Sequence, residues 1–138
     1  MAEALILDSE AINALANPTE RAALFDRARA ILTLAHERRA LVRVPAPVLA
    51  EVYRGKGRDA ALDRLLNSGG IRVSDLTRAI ARTGGQLLAK NKLASSHAVD
   101  AFVVATALTF ERAIIATGDP KDMARLVANA RQVRIFPL

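Results

Sequence analysis

Four acidic residues stand where a carboxylate is costly unless it has a task. Asp8 follows the apolar run "ALIL" with no turn residue between, and the chain then passes straight into a helical pattern, "SEAINAL". Asp119 follows a second apolar run in "AIIATGDPKD". Glu51 lies early in a helix expected over 47–55, and Asp100 in the first turn of one expected over 95–112. Glu10 and Asp122 belong nearby, just beyond Asp8 and Asp119. Each acid has a plain structural use. Asp8 is a candidate N-cap, and so is Asp119, with Pro120 at N1 and Asp122 at N3. Asp100 gains from a helix dipole, and Glu51 is free to face water. Gathered into one basin, however, carboxylates repel unless a cation joins them. Hard divalent ions such as Mg²⁺ take oxygen ligands of this kind.

The elements that would gather them are legible as alternating patterns. Strands are expected at 4–7, 41–44, 71–74, 113–117 and 133–136. Helices are expected at 9–16, 19–40 with Thr19 as cap, 47–55, 59–70, 75–92, 95–112 and 120–130. The two glycines within 75–92 are expected to break or bend that helix. The helix at 95–112 is apolar nearly all round after Asp100, as a buried helix is. Strands separated by helices throughout predict an α/β fold with a parallel sheet of about five strands covered on both faces. In such sheets the working site lies beyond the carboxyl ends of the strands, which places Asp8 and Asp119 at one edge.

Composition narrows the function. The chain has 138 residues, sized for one domain over 1–138. It is 51% hydrophobic but only 4% aromatic and lacks Trp, so aliphatic residues must build the core. No run of about 18 apolar residues marks a membrane span. The opening "MAEALILDSEA" carries acids where a secretory signal is basic, so a cytoplasmic protein without membrane attachment is expected. The absence of cysteine removes disulfides and thiolate metal sites. A formal net charge of +6 suits a polyanionic partner. Arg54, Lys56 and Arg58, then Lys90 and Lys92, flank the expected cleft; they suit phosphate contact, or equally the carboxyl ends of helices. No glycine-rich phosphate-binding motif is present. His97 stands one helical turn before Asp100, but with two histidines and no cysteine a closed zinc site is not expected. His97 is therefore read as a surface residue and His36, in "HERR", as solvated.

The stretches "LILDSEAINAL", "VPAPVLAEVYRG", "HAVDAFVVATAL" and "AIIATGDPKDMARL" resemble, in order and spacing, the motifs of PIN-domain ribonucleases. They are most like the toxin subunits of type II toxin–antitoxin modules, the VapC type. The resemblance covers nearly the whole chain and implies a three-layer PIN-like fold. It implies an acidic cluster of Asp8, Glu51, Asp100 and Asp119, with Asp8, Asp100 and Asp119 on the metal. Ser9, Thr117 and Asp122 match supporting positions. Gly118 departs from the pattern, standing where a polar residue is common, and residues 56–92 carry no motif.

The resemblance further implies a Mg²⁺- or Mn²⁺-dependent endoribonuclease. Metal-activated water would attack phosphorus in line, leaving a 5′-phosphate and a 3′-hydroxyl. The expected substrate is structured RNA, a tRNA or an rRNA loop. The expected partners are a small antitoxin and a second copy of the chain in a homodimer. One metal ion or two, and a place for Glu10 or Asp122 at the metal, both stay open. Two other readings remain. One is a PIN-like RNA-binding module without catalysis, against which the intact acid set argues. The other is a phospho-acceptor receiver domain, which wants a Lys after the last strand; here that strand ends "RIFPL".

Overall fold

Among the residues that the computed structural model describes, 3–55 and 57–138, five strands alternate with seven α-helices. The strands are β1 Glu3–Leu7, β2 Leu41–Pro45, β3 Arg72–Ser74, β4 Arg112–Thr117 and β5 Val133–Pro137. They form one sheet in the order β3-β2-β1-β4-β5, and every neighbouring pair is parallel. The helices are α1 Ser9–Ala16, α2 Ala22–Glu37, α3 Ala46–Val52, α4 Gly57–Leu66, α5 Arg78–Lys90, α6 Ala98–Ala107 and α7 Pro120–Val127.

Strand β1 explains the architecture. Ala4, Leu5, Ile6 and Leu7 are all buried, so consecutive side chains pointing to opposite faces both meet packed helices. With Ile12, Ile115 and Met123 they form an aliphatic core that needs no tryptophan. On one side of β1 lie β2 and β3; on the other lie β4 and β5. The chain thus leaves β1 in one direction and returns in the other, which opens a crevice at the carboxyl ends of β1 and β4. Leu7 pairs with Ala116, and the amide of Asp8 still bonds the Ala116 carbonyl at 3.2 Å. The ladder therefore carries Asp8 to the mouth of that crevice. No helix among the described residues is long and apolar enough to cross a membrane.

Four expectations change in detail. Thr19 does not cap the second helix. Residues 18–21 form a turn, the Arg21 amide bonds the Asn17 carbonyl at 3.3 Å, and α2 begins at Ala22. The glycines at 84 and 85 neither break nor end α5. A Cβ at Gly84 would stand 2.7 Å from Phe102 Cδ1, so this glycine is what lets α5 and α6 close on each other. The long helix expected over 95–112 is a 3₁₀ turn, Ser95–His97, followed by α6, with β4 starting at Arg112. Glu51 lies in the last turn of α3, not the first, because Tyr53 turns extended (φ −69°, ψ 121°) and stops the helix at Val52.

Candidate metal centre

The centre is built outward from Asp8, which is only 5% exposed. Its Oδ1 accepts a hydrogen bond from the Ala11 amide at 3.0 Å and caps α1. Its Oδ2 accepts one from the Gly118 amide at 3.3 Å, across 110 positions of sequence. One oxygen of this side chain therefore caps α1 while the other ties β1 to the segment after β4. Burial pushes this carboxyl above the usual carboxylate range. Hydrogen bonds from the Thr117 hydroxyl and the Ala11 and Gly118 amides pull the other way, and the charge of Glu10 adds repulsion.

Thr117 is fully buried at the end of β4 and ties two acids together. Its hydroxyl donates to Asp8, while its Oγ1 accepts from the Asp119 amide at 2.9 Å. Asp119 occupies the N-cap position of α7, where the Asp122 amide is near enough to favour its charged form without reaching normal capping geometry. Burial raises the Asp119 carboxyl, as do a hydrogen bond shared with the Asp122 carboxyl and the charge of Asp122. The Asp122 amide and the imidazole of His97 oppose the rise.

Asp100 meets all of them. It is half-buried in the first turn of α6, and its carboxyl is pushed up to about 6 by burial first, then by the charges of Asp119, Glu51, Asp8 and Asp122. These charges locate the basin: acids from the ends of β1, α3 and β4, and from the start of α7, lie near enough to act on the one carboxyl at the start of α6. Glu51 takes part from an exposed position. Glu10 has its own cation, since its Oε2 lies 2.7 Å from Arg21 Nη1. Ser9 opens α1 directly after Asp8 and is half-buried.

His97 is the residue that sequence reasoning set aside. Its Nδ1 lies 4.0 Å from Asp122 Oδ2, and one donor atom each from His97, Asp100 and Asp122 fall within 4.8 Å of one another. The three can share a metal ion. The H-x-x-D spacing was the available signal for His97 and Asp100, but Asp122 reaches them only because α6 packs on α7.

The basic candidates are less concentrated than expected. The Arg54 guanidinium folds back on the end of α3, donating to the carbonyls of Ala50 (3.0 Å) and Tyr53 (2.9 Å). Arg58 lies 3.5 Å from Glu20. Lys90 and Lys92 are exposed at the end of α5. Lys56 lies outside the described residues.

The PIN domain family model matches residues 5–128. Among solved structures, the crystal structure of VapBC2 from Rickettsia felis bound to a DNA fragment from its promoter is similar with a TM-score of 0.65. Sequence identity there is 14%, over 98% of this chain and 98% of that one. At that identity the likeness is one of fold. No curated protein matches the sequence.

Proposed function

The chain belongs to the PIN-domain family, and from that premise we propose that it is a metal-dependent endoribonuclease, the toxin of a toxin–antitoxin pair. One observation carries the reading: five acids crowd the crevice between β1 and β4, and burial, reinforced by the charges of the other four, holds the Asp100 carboxyl at about 6. A structural network would have interleaved cations there. The oxygen donors suit a hard divalent ion, Mg²⁺ or Mn²⁺; Asp8, Asp100 and Asp119 are its proposed ligands with Glu51 beside them, while the donor atoms already within 4.8 Å of one another are those of His97, Asp100 and Asp122. Bound there, such an ion would acidify water and offset the negative charge that builds on a phosphate under attack.

The chain's own groups set the rest. Asp8 is held rigid by two backbone amides and the Thr117 hydroxyl, so its oxygens are aimed without further ordering. Thr117 orients the Asp119 backbone through its amide. Ser9 adds a hydroxyl at the same mouth. Arg54, Arg58, Lys90 and Lys92 supply a diffuse basic surface that attracts RNA, since the acids alone would repel it, and the charge of Lys56 adds to theirs. The whole of 1–138 acts as one PIN domain. The four stretches that resemble VapC-type toxins support a small antitoxin partner, a homodimer and a structured RNA substrate in the cytoplasm; the fold likeness to VapBC2 agrees with the antitoxin partner.

The test is cleavage of total RNA by the purified chain. Mg²⁺ or Mn²⁺ should support it, EDTA should stop it, and Asp100→Asn should lack it. Expression alone should arrest growth, and the 5′ ends that appear should map to one dominant site. Cleavage undiminished by EDTA would overturn the metal assignment; harmless expression of soluble wild-type chain would overturn the toxin.

A further inference from the structure

The acids of the centre are joined by one nitrogen donor whose role the acidic cluster leaves unexplained. We infer that His97 is a ligand of the metal through Nδ1, and that it gives this centre a preference for imidazole-binding first-row transition ions, Co²⁺ and Ni²⁺, over Mg²⁺. The inference rests on the metal centre proposed above and adds a ligand and a metal class to it.

Geometry separates a ligand role from an ordinary ion pair. At 4.0 Å the His97–Asp122 contact is too long for a hydrogen bond, and both side chains are about 30% exposed, so neither is forced there by burial. Asp122 is also only loosely held by Arg125, at 3.9 Å. Two donors across one ion at about 2.1 Å stand at most about 4.2 Å apart. The His97–Asp122 pair at 4.0 Å already fits opposite sides of one ion, and the three donors, within 4.8 Å of one another, can close on it by side-chain rotation, since adjacent donors stand about 3 Å apart. His97 also sits close enough to Asp119 for its charge to act on that carboxyl, so it faces the basin rather than solvent alone. Its position follows from the fold. The 3₁₀ turn Ser95–His97 ends at the residue before α6, which puts the imidazole one helical turn ahead of Asp100 and level with the first turn of α7.

Chemistry supplies the preference. Mg²⁺ binds oxygen and gains little from imidazole. Affinity for a mixed nitrogen and oxygen site rises from Mn²⁺ through Co²⁺ to Ni²⁺, and an imidazole ligand is part of what those ions select. The chain has no thiolate to compete. The other histidine, His36, is exposed on α2 with Nε2 at 3.2 Å from the Gly70 carbonyl, and serves as the internal control.

The experiment is metal titration of the untagged full chain by calorimetry, with Mg²⁺, Mn²⁺ and Ni²⁺, for the wild type, His97→Gln, His36→Gln and Asp122→Asn. His97→Gln should weaken Ni²⁺ binding at least about tenfold and leave Mg²⁺ binding within about twofold; His36→Gln should change neither. Pulsed electron paramagnetic resonance of the Mn²⁺-loaded wild type should show ¹⁴N coupling that His97→Gln removes. Equal Ni²⁺ affinity in wild type and His97→Gln, or no nitrogen coupling in the wild type, would overturn the inference while leaving the acidic metal centre in place. A wild type that binds no divalent ion would overturn both. A wild type that binds Ni²⁺ through His97 but cuts no RNA would uphold this ligand and overturn the nuclease.

Discussion

The two ends of the parallel sheet carry opposite charge and resolve it differently. At the carboxyl ends of β1 and β4, the acids of the basin face one another with no arginine or lysine among the charges acting on Asp100. At the amino ends of the same strands lies a cavity of about 590 Å³ whose rim includes Arg38, Arg112, Arg131 and Arg134. There Glu3 and Glu111 are interleaved with the arginines, and Arg38 pairs with Glu3 at 3.4 Å. At the amino end both signs are mixed and partly paired within the chain. At the carboxyl end Asp122 has Arg125 and His97 nearby, but no arginine or lysine offsets the charges acting on Asp100. Crowding of like charge that the fold does not relieve, at the switch point of the sheet, is the sign that separates a working site from a charged surface.

The largest effect should divide the two ends by activity. Asp8→Asn or Asp100→Asn should lower RNA cleavage at least about a hundredfold, the scale of lost metal-site interactions. Arg131→Gln or Arg134→Gln should leave it within about twofold. Comparable losses from both ends, measured as initial rates on one RNA, would erase the distinction.

Gly118→Ala sharpens the comparison by disturbing the acid end through packing alone. A Cβ at 118 would stand 2.4 Å from Glu10 Cγ and 2.8 Å from Glu10 Cβ. Glu10 must shift, its pairing with Arg21 must loosen, and the Gly118 amide that holds Asp8 must move with it. Denaturant unfolding should show a loss of roughly 1–3 kcal/mol.

The pH dependence of stability comes next. The carboxyl of Asp100 titrates near 6 in the folded chain and near 4 when unfolded, so the folded state holds its proton more firmly. Without metal, that contribution is most favourable below about 4 and is lost as pH rises through 4 to 6, with the deficit then constant. Thermal melts in EDTA should fall over this window. Asp100→Asn should flatten the fall and melt roughly 2–5 °C higher at pH 7. Divalent metal should recover most of the loss above pH 6. Arg131→Gln should keep the wild-type profile.

The smallest effect concerns the basic surface that attracts RNA. Arg54→Ala with Lys56→Ala should reduce the salt dependence of RNA binding by about one to two counterions, measured as the slope of log K against log salt, and leave Mg²⁺ affinity unchanged. An unchanged slope would remove these residues from that role.

Much of this was legible in the sequence, for local reasons. Asp8 and Asp119 could be placed because they stand one and two residues beyond a strand, and β1 and β4 proved to be neighbours. Thr19 looks like a cap because it is a threonine before a helical pattern, whereas the Arg21 amide bonds the Asn17 carbonyl in a turn that delays the helix to Ala22. The glycines of α5 could not be interpreted without Phe102, which lies on another helix. His97 was set aside because counting ligands in sequence finds no closed site; Asp122, its nearest acid, comes from α7. Propensity and spacing report what a residue's neighbours in sequence demand. They are silent where the deciding partner arrives through tertiary packing.

The hydrogen bond from Gly118 to Asp8 also carries a consequence in time. It joins the first strand to a segment 110 positions later, and the central strand cannot meet β4 before β4 has been made. During synthesis β1 and β2 can emerge and pair, but Asp8 then faces only half a crevice. The basin comes into being only when α6, β4 and the start of α7 have all left the ribosome, so the acids that repel one another are brought together after the central strand and its first neighbour have already had time to pair.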